Sequence, residues 1–453
     1  MVWSTSKFTP RSAAPRRQVF PRKDLTYDII IVRWFCRTRF VVFFGGGEMA
    51  KQVGPQNVVG RDKLIETIWK KLETRSLQFT AERRVGKTTV MTKMAAEQKA
   101  GYEVLFMDLE GIDSPTRFVE LIINRALPLL SAASKMKKWL NDFLDATGGT
   151  DIGGVFKLPV VSKVSWQDML TKTLEGLCEH QKDKKTLLIF DELPYMLQKI
   201  ASLSESHESR TQALTLLDTL RLIRQKYPNL RMIYAGSVGL HHVVNDLKQD
   251  KLASQPVNDM PLVEIRALDH SDAIHLASTL LSDERVDISP ENLRAVLEKL
   301  VHRTDGVPFY IHAVCSKLGE CDGPIDVERV EETVRHQLLS DQDPWEMEHF
   351  RNRLGIYYKG TIDDVSGKPL RNEDIARKIL DHMATVSEPQ SIDQVWAVVK
   401  SHFQITDRNH IVKLLGSLAL DHYLVHDSDS NDKKRYLFRF PLIQRWWKLA
   451  QGP

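Results

Sequence analysis

Residues 77–94 read LQFTAERRVGKTTVMTKM. The run SLQFT is short, apolar-leaning and bounded by charged sequence, which predicts a buried strand. After it, KTTVMTKMAAEQKAGY places Val90, Met91, Met94 and Ala95 at helical spacing, with Gly101 as a stop. Strand, loop and helix in that order are the context in which a phosphate-binding loop is credible, and Gly86-Lys87-Thr88 is its ending. Backbone amides from Ala81 through Glu82, Arg83, Arg84, Val85 and Gly86 to Lys87, Thr88 and Thr89 would face the phosphates. Lys87 would meet the β- and γ-phosphates and Thr88 would ligate Mg2+. Gly86 lies where a Cβ is expected to crowd a phosphate. Ala81 stands where the pattern has its first glycine, a departure worth at most about 1 kcal/mol. The competing reading is a chance Gly-Lys-Thr in a surface helix.

Such a loop needs a second strand that ends in acid. KTLLIFDE, residues 185–192, has four consecutive apolar residues before Asp191 and Glu192. A wholly apolar run implies a strand covered on both faces. Asp191 would hold Mg2+ through water, and Glu192 would orient or deprotonate an attacking water. The plainer alternative is a pair of carboxylates complementing a helix dipole. YEVLFMDLEG (102–111), LRMIYAGSVGL (230–240) and MPLVEIRAL (260–268) supply further strands. Ser237, at the end of one of them, is placed to sense the γ-phosphate, or else to serve as a turn or N-cap serine. Strands alternating with helical patterns predict an α/β fold with a parallel sheet.

Residues 131–165 interrupt the rhythm with two glycine pairs and alternating apolar residues, suggesting a hairpin insertion. The polar stretch SLSESHESRTQ (202–212) reads as a loop, followed by an amphipathic helix carrying Arg221 and Arg224. Either arginine could serve as a finger toward a neighbouring subunit, although a solvated face is the commoner role.

Composition narrows the class. At 453 residues the chain exceeds one ordinary core, and 42% hydrophobic with 27% charged residues is ordinary for a globular protein. Four cysteines without CxxC spacing offer no disulfide framework and fit a reducing cytoplasm. The histidines form no recognisable ligand pattern, so no metal beyond nucleotide-bound Mg2+ is expected. Of the net charge of +4, residues 1–48 carry +6, leaving the remainder at −2. Bulk charge therefore does not argue for nucleic acid. The opening 48 residues mix arginines with aromatics without periodicity, and FVVFFGGG is too short to span a membrane. We expect Met49 to be the initiator and the preceding tract to be a leader or disordered extension.

Taken together, NVVGRDKLIETIWKKLE, AERRVGKTT, FDELPYML, LRLIRQKYPNLRMIYAGSVGL and TDGVPFYIHAV resemble the archaeal-type ATPases of the STAND branch of AAA+-related P-loop NTPases. The resemblance covers roughly residues 57–320 and implies a C-terminal winged helix. It also implies that Val59, Gly60 and Arg61 lie beside the adenine, with Gly306 and Pro308 at the nucleotide edge of a helical lid. No comparable pattern supplies a dedicated arginine finger. The lid is also legible directly. Ala273, Ile274, Ala277 and Leu280 share one face, as do Leu293, Val296, Leu297 and Leu300. Ser289-Pro290 starts a helix and Gly306 stops one.

From 371 the pattern is three helices, a hairpin and a closing segment. In the third helix Ile411, Leu414, Leu415 and Leu418 form a stripe. Arg408, Asn409, His410 and Lys413 would face a DNA groove, with Lys433, Lys434 and Arg435 on the wing. Twelve basic against ten acidic residues over 371–453, with Asp427, Asp429 and Asp432 in the wing, favour internal docking or a protein partner over DNA. The expected organisation is a leader (1–48), a P-loop NTPase domain (49–268), a helical lid (269–370) and a winged helix (371–453). The expected function is a cytoplasmic, Mg2+-dependent ATP-hydrolysing switch with a protein partner or self-association. The alternative is an ATP-regulated DNA-binding protein.

Overall fold

The structure, a computed structural model, describes residues 54–130, 138–139, 142, 150–152, 155–157, 164–180, 183–202, 207–237, 239–247, 255–428 and 433–451. The expectations for residues 1–48 and Met49, most of the 131–165 insertion, and Asp429 and Asp432 lie outside them.

The strands are β1 (Leu77–Ala81), β2 (Tyr102–Asp108), the antiparallel pair β3 (Thr150–Ile152) and β4 (Val155–Lys157), β5 (Lys185–Asp191), β6 (Leu230–Tyr234) and β7 (Leu262–Ile265). Five of them form one parallel sheet in the order β2-β5-β6-β1-β7. Every strand of the sheet therefore ends on the same edge, where loops carry function in folds of this kind.

Alternation of side chains along the strands explains how both faces are covered. In β5, Leu187 and Ile189 enter one core while Leu188 and Phe190 enter the other. The first core is closed by α1 (Asp62–Leu72) and α2 (Lys87–Ala96). The second is closed by α3 (Pro115–Ala126), α4 (Trp166–His180), α5 (Leu193–Ser202), α6 (His207–Lys226) and α7 (Leu240–Leu247). Helix α6 begins at His207, inside the stretch expected to be a loop, and its second turn buries Ala213 and Leu214. Local polarity misled because the helix's apolar stripe starts only after its first turn.

A helical region follows: α8 (His270–Asp283), α9 (Pro290–Arg303), α10 (Pro308–Gly319), α11 (Val327–Leu339) and α12 (Glu348–Tyr357). Helix α8 buries Ala273, Leu276, Ala277 and Leu281, and its Ile274 and Leu280 are only half-buried. In α9 Leu293 is exposed, leaving Val296, Leu297 and Leu300 as the buried stripe. The small hairpin β8 (Thr361–Asp363) and β9 (Pro369–Arg371) leads into α13 (Asn372–Thr385). Then come β10 (Gln390–Ser391), α14 (Ile392–Phe403), α15 (Arg408–Leu420), β11 (Leu424–Ser428), β12 (Lys434–Phe438) and α16 (Pro441–Ala450). The antiparallel sheet β10-β12-β11 and these helices make a winged helix. Ile411, Leu414, Leu415 and Leu418 are all buried, and Trp446 and Trp447 are core residues. No helix among the described residues is long and apolar enough to cross a membrane.

Candidate nucleotide site

The loop between β1 and α2 is closed at its base by ordinary backbone. Ala81 ends β1, and it is Arg84, at φ 71°, and Gly86, at φ 94°, that take left-handed conformations. The missing first glycine therefore removes nothing this loop's geometry requires. At Gly86 the dihedral, not space, calls for glycine. A Cβ there would come no nearer than 3.8 Å to protein atoms beyond its chain neighbours, so any crowding would be with a bound phosphate.

Sheet order brings the acids to this loop. β6 lies between β1 and β5, so the ends of all three strands converge. Thr88 Oγ1 donates to Asp191 Oδ2 at 2.6 Å, across 103 residues of sequence. Lys87 Nζ stands 3.8 Å from Asp191 Oδ1 and 3.6 Å from Glu192 Oε1. Burial pushes the Asp191 carboxyl above its ordinary range, while Lys87 and the Thr88 hydroxyl act in the opposite sense. A desolvated carboxylate held by a hydroxyl and facing an ammonium is the donor set a hard divalent cation takes up, so the residues fit Mg2+. Glu192 adopts φ 55°, rare for a residue with a Cβ. Its carboxylate accepts from the Ser237 amide (2.9 and 3.1 Å) and from Ser237 Oγ (2.9 Å). Among the described residues, the Ser237 amide and hydroxyl both donate to Glu192.

Lys87, Thr88, Glu192 and Ser237 line a cavity of about 630 Å3 together with Val59, Arg61, the rest of the loop 81–89 and Pro308, while Asp191 is buried and held by the Thr88 hydroxyl. That size and mixed lining suit a nucleotide. Gly60 is not in the wall. It stands at φ 70° where a Cβ would come within 2.6 Å of the Asp272 side chain. Arg61 donates to the carbonyls of Val85 and Arg266, bracing the phosphate loop against the end of β7 instead of lying free for a base. Pro308 opens α10, and its neighbours Phe309 and His312 face the same cavity, as does His349. Phe309 and His312 sat within the quoted TDGVPFYIHAV, next to Pro308, and could have been found there. His349 had no local signal. Its imidazole is lowered to about 4 by burial and then by Arg353, so it is neutral.

The side chains of Glu82, Arg83 and Arg84 grip the segment before and within α12. Arg83 and Arg84 both pair with Glu346, at 2.7 and 3.0 Å, and Arg84 donates to the Trp345 carbonyl and lies over the Phe309 ring. Glu82 accepts from both guanidinium nitrogens of Arg353 at 3.0 and 3.2 Å, with both residues buried. Arg353 also donates to Tyr423 Oη and the Asp421 carbonyl, which belong to the winged helix. Within one loop, Glu82, Arg83 and Arg84 thus reach the C-terminal third of the chain while Lys87 and Thr88 reach the acids at the end of β5.

Arg224, one of the two finger candidates, is fully engaged within the chain. Arg224 is buried, donating to Asp259, Tyr234 Oη and the Pro256 carbonyl, and Arg221 is half-buried beside it. On the winged helix Arg408 pairs with Asp393 at 2.7 Å, and His410 is hydrogen-bonded to Asn372. Asn409 and Lys413 are exposed. The structure also brings His241, His242 and Asp421 together, a cluster the sequence hides because 179 residues separate its parts.

No family model matches the chain, and no curated protein matches it in sequence. Among solved structures it is similar to a Walker-type ATPase of Pyrococcus abyssi, at TM-score 0.54 and 16% identity over 87% of this chain and 97% of that one. Weaker similarity links it to the ORC2 protein of Aeropyrum pernix in its ADP form (TM-score 0.41, 10% identity, 90% and 98% covered). Drosophila ORC bound to DNA is at TM-score 0.39 and 13% identity, with 93% and 97% covered. The fold is thus that of the Walker-type ATPase: a five-stranded parallel sheet covered by helices, a helical region and a C-terminal winged helix.

Proposed function

We propose that the chain binds ATP with Mg2+ in the cavity above the sheet and hydrolyses it as a conformational switch. The observation that carries this reading is the meeting of Thr88, Lys87, Asp191 and Glu192, drawn from two loops of one sheet edge. The Pyrococcus relative is itself described as a Walker-type ATPase, which agrees with it. Thr88 and Asp191 would hold Mg2+, whose charge, when bound, neutralises phosphate oxygens. Lys87 binds the β- and γ-phosphates. Glu192, oriented by Ser237, positions and deprotonates water. The organisation we infer keeps the NTPase domain at 49–268, the lid at 269–370 and the winged helix from 371. Movement of the lid would reach the winged helix through Glu82 and Arg353.

A DNA-binding role regulated by ATP is the second reading, supported only by the exposed Asn409 and Lys413 on α15 and the basic residues of β12. We disfavour it because Arg408 and His410 are already engaged within the chain. The test is hydrolysis by the full chain with Mg2+. Glu192→Gln should retain ATP binding and lose turnover by about 100-fold or more, and Lys87→Ala should lose binding itself. Turnover in Glu192→Gln equal to wild type would remove Glu192 from the reaction. Anisotropy with duplex DNA at low and high salt separates the second reading.

A further inference from the structure

We propose that His241, His242 and Asp421 form a binding site for a divalent transition metal of the Zn2+ type, separate from the nucleotide's Mg2+. One ligand atom from each lies within 4.8 Å of the other two. The two histidines open α7, four and five residues after Ser237, and Asp421 follows α15 in the winged helix.

Three observations point to a cation. His241 Nε2 is buried and has no hydrogen-bond partner, a condition that normally costs stability unless something else uses the lone pair. It faces Asp421 Oδ1 at 3.4 Å, too far for a strong hydrogen bond. Two ligands on a tetrahedral Zn2+, each at about 2.0–2.1 Å, stand about 3.3–3.4 Å apart. The spacing is that of a pair bridged by a metal.

Gly239 makes the second observation. A Cβ there would lie 2.5 Å from His241 Cε1 and 3.3 Å from Asp421 Oδ1, so glycine leaves the room in which the ring turns toward the carboxylate. The surroundings make the third, since they already have the form of an outer shell. Tyr358 Oη donates to Asp421 Oδ2 at 2.6 Å, Tyr357 stacks on the His242 ring at 5.1 Å, and Arg353 holds the Asp421 carbonyl.

His242 Nε2 lies 2.7 Å from Asp421 Oδ2, a hydrogen bond that must open by roughly 0.6 Å to reach ligand spacing. Two imidazoles and one carboxylate suit Zn2+ and its neighbours and are too nitrogen-rich for Mg2+. The fourth position faces a second cavity, of about 720 Å3, which also contains Ser237, Glu264 and Arg439 and would admit water to the metal. Loading the site would tie the segment that orients Glu192 to the start of the wing.

The experiment titrates Zn2+ into the untagged, EDTA-treated full chain without nucleotide, by calorimetry, with Co2+ as a spectroscopic stand-in. The expected result is one equivalent bound, a tetrahedral Co2+ visible spectrum, and a rise in melting temperature. His241→Ala should weaken binding at least tenfold and abolish the rise, while its metal-free melting temperature stays at that of wild type. Asp191→Asn should bind Zn2+ as wild type does, which excludes the nucleotide site as the place of binding. Absence of stoichiometric binding, undiminished affinity in His241→Ala, or a Co2+ spectrum of octahedral oxygen type would overturn the proposal. Should His241→Ala fail to fold, the Co2+ spectrum of wild type decides alone.

Discussion

Arg353 ties the loop after β1 to the winged helix from within the interior. It donates to Glu82 with two nitrogens, to Tyr423 and to the Asp421 carbonyl, and it lies over the Tyr423 ring at 4.1 Å. A buried pair of this kind adds little net stability compared with an apolar substitute, but removal of one partner strands the other. We therefore expect Arg353→Met to lose about 3–5 kcal/mol of urea stability. Glu82→Gln combined with Arg353→Met should recover most of that loss, since no bare charge then remains. Additive losses in the double variant would refute the pairing as the source. Glu82 sits between Ala81 and the glycine-lysine pair, so the motif itself marked the position. What it could not mark was the partner 271 residues away.

At the scale of elements, the turn between α9 and α10 anchors α16. Asp305, at φ 52°, accepts the Leu442 amide at 2.6 Å in the first turn of that helix. Burial is the main influence on this carboxyl and raises it from 3.8 to about 6, with the Leu442 amide and Arg445 opposing. Because the folded value exceeds the unfolded one, the native state holds the proton more tightly. Its stabilising effect is complete below pH 3.8 and is lost as pH rises through 6. Asp305→Asn keeps the acceptor, tolerates the left-handed backbone and does not titrate. Its stability relative to wild type should be level near pH 4 and rise by at most about 3 kcal/mol at pH 7; a difference independent of pH would exclude Asp305 as the cause. Strands β2 and β5 were legible because burial on both faces leaves uninterrupted apolar runs, as in Leu187–Phe190, whereas β1, broken by Gln78 and Thr80, was legible from the glycine-lysine-threonine loop that follows it. Helix α12 was not, because its helical residues EHFRNRLGIY are mostly polar and its two most informative members, Phe350 and Arg353, bury against distant partners. The pair His241-His242 was visible as adjacent histidines, yet nothing local distinguishes ligands from surface residues.

For the molecule as a whole, the decisive feature is continuity of the first core. It runs from Ile68 and Leu72 in α1, through Leu187 and Ile233 in the sheet and Ile311 in α10, to Leu415 and Trp447 in the winged helix. The second core takes the other face of β2, β5 and β6, so neither face of those strands can be lost without unpinning the sheet. Chains of this length ordinarily unfold in steps, domain by domain. Here the C-terminal segment has no separate apolar interior to retain, and its polar contacts through Arg353, His422 and Arg439 reach Glu82, Thr80 and Glu264 on the sheet side. We expect urea unfolding followed by tryptophan fluorescence, to which Trp69 beside the sheet and Trp345, Trp446 and Trp447 toward the C-terminus all contribute, to coincide with far-ultraviolet circular dichroism in one transition. ATP with Mg2+ at about 100 times its Kd should move both probes together by about 2.7 kcal/mol. Two separated transitions, or a nucleotide shift in only one probe, would show that the winged helix unfolds apart from the sheet. In that case Glu82 and Arg353 could not carry the state of the nucleotide to it.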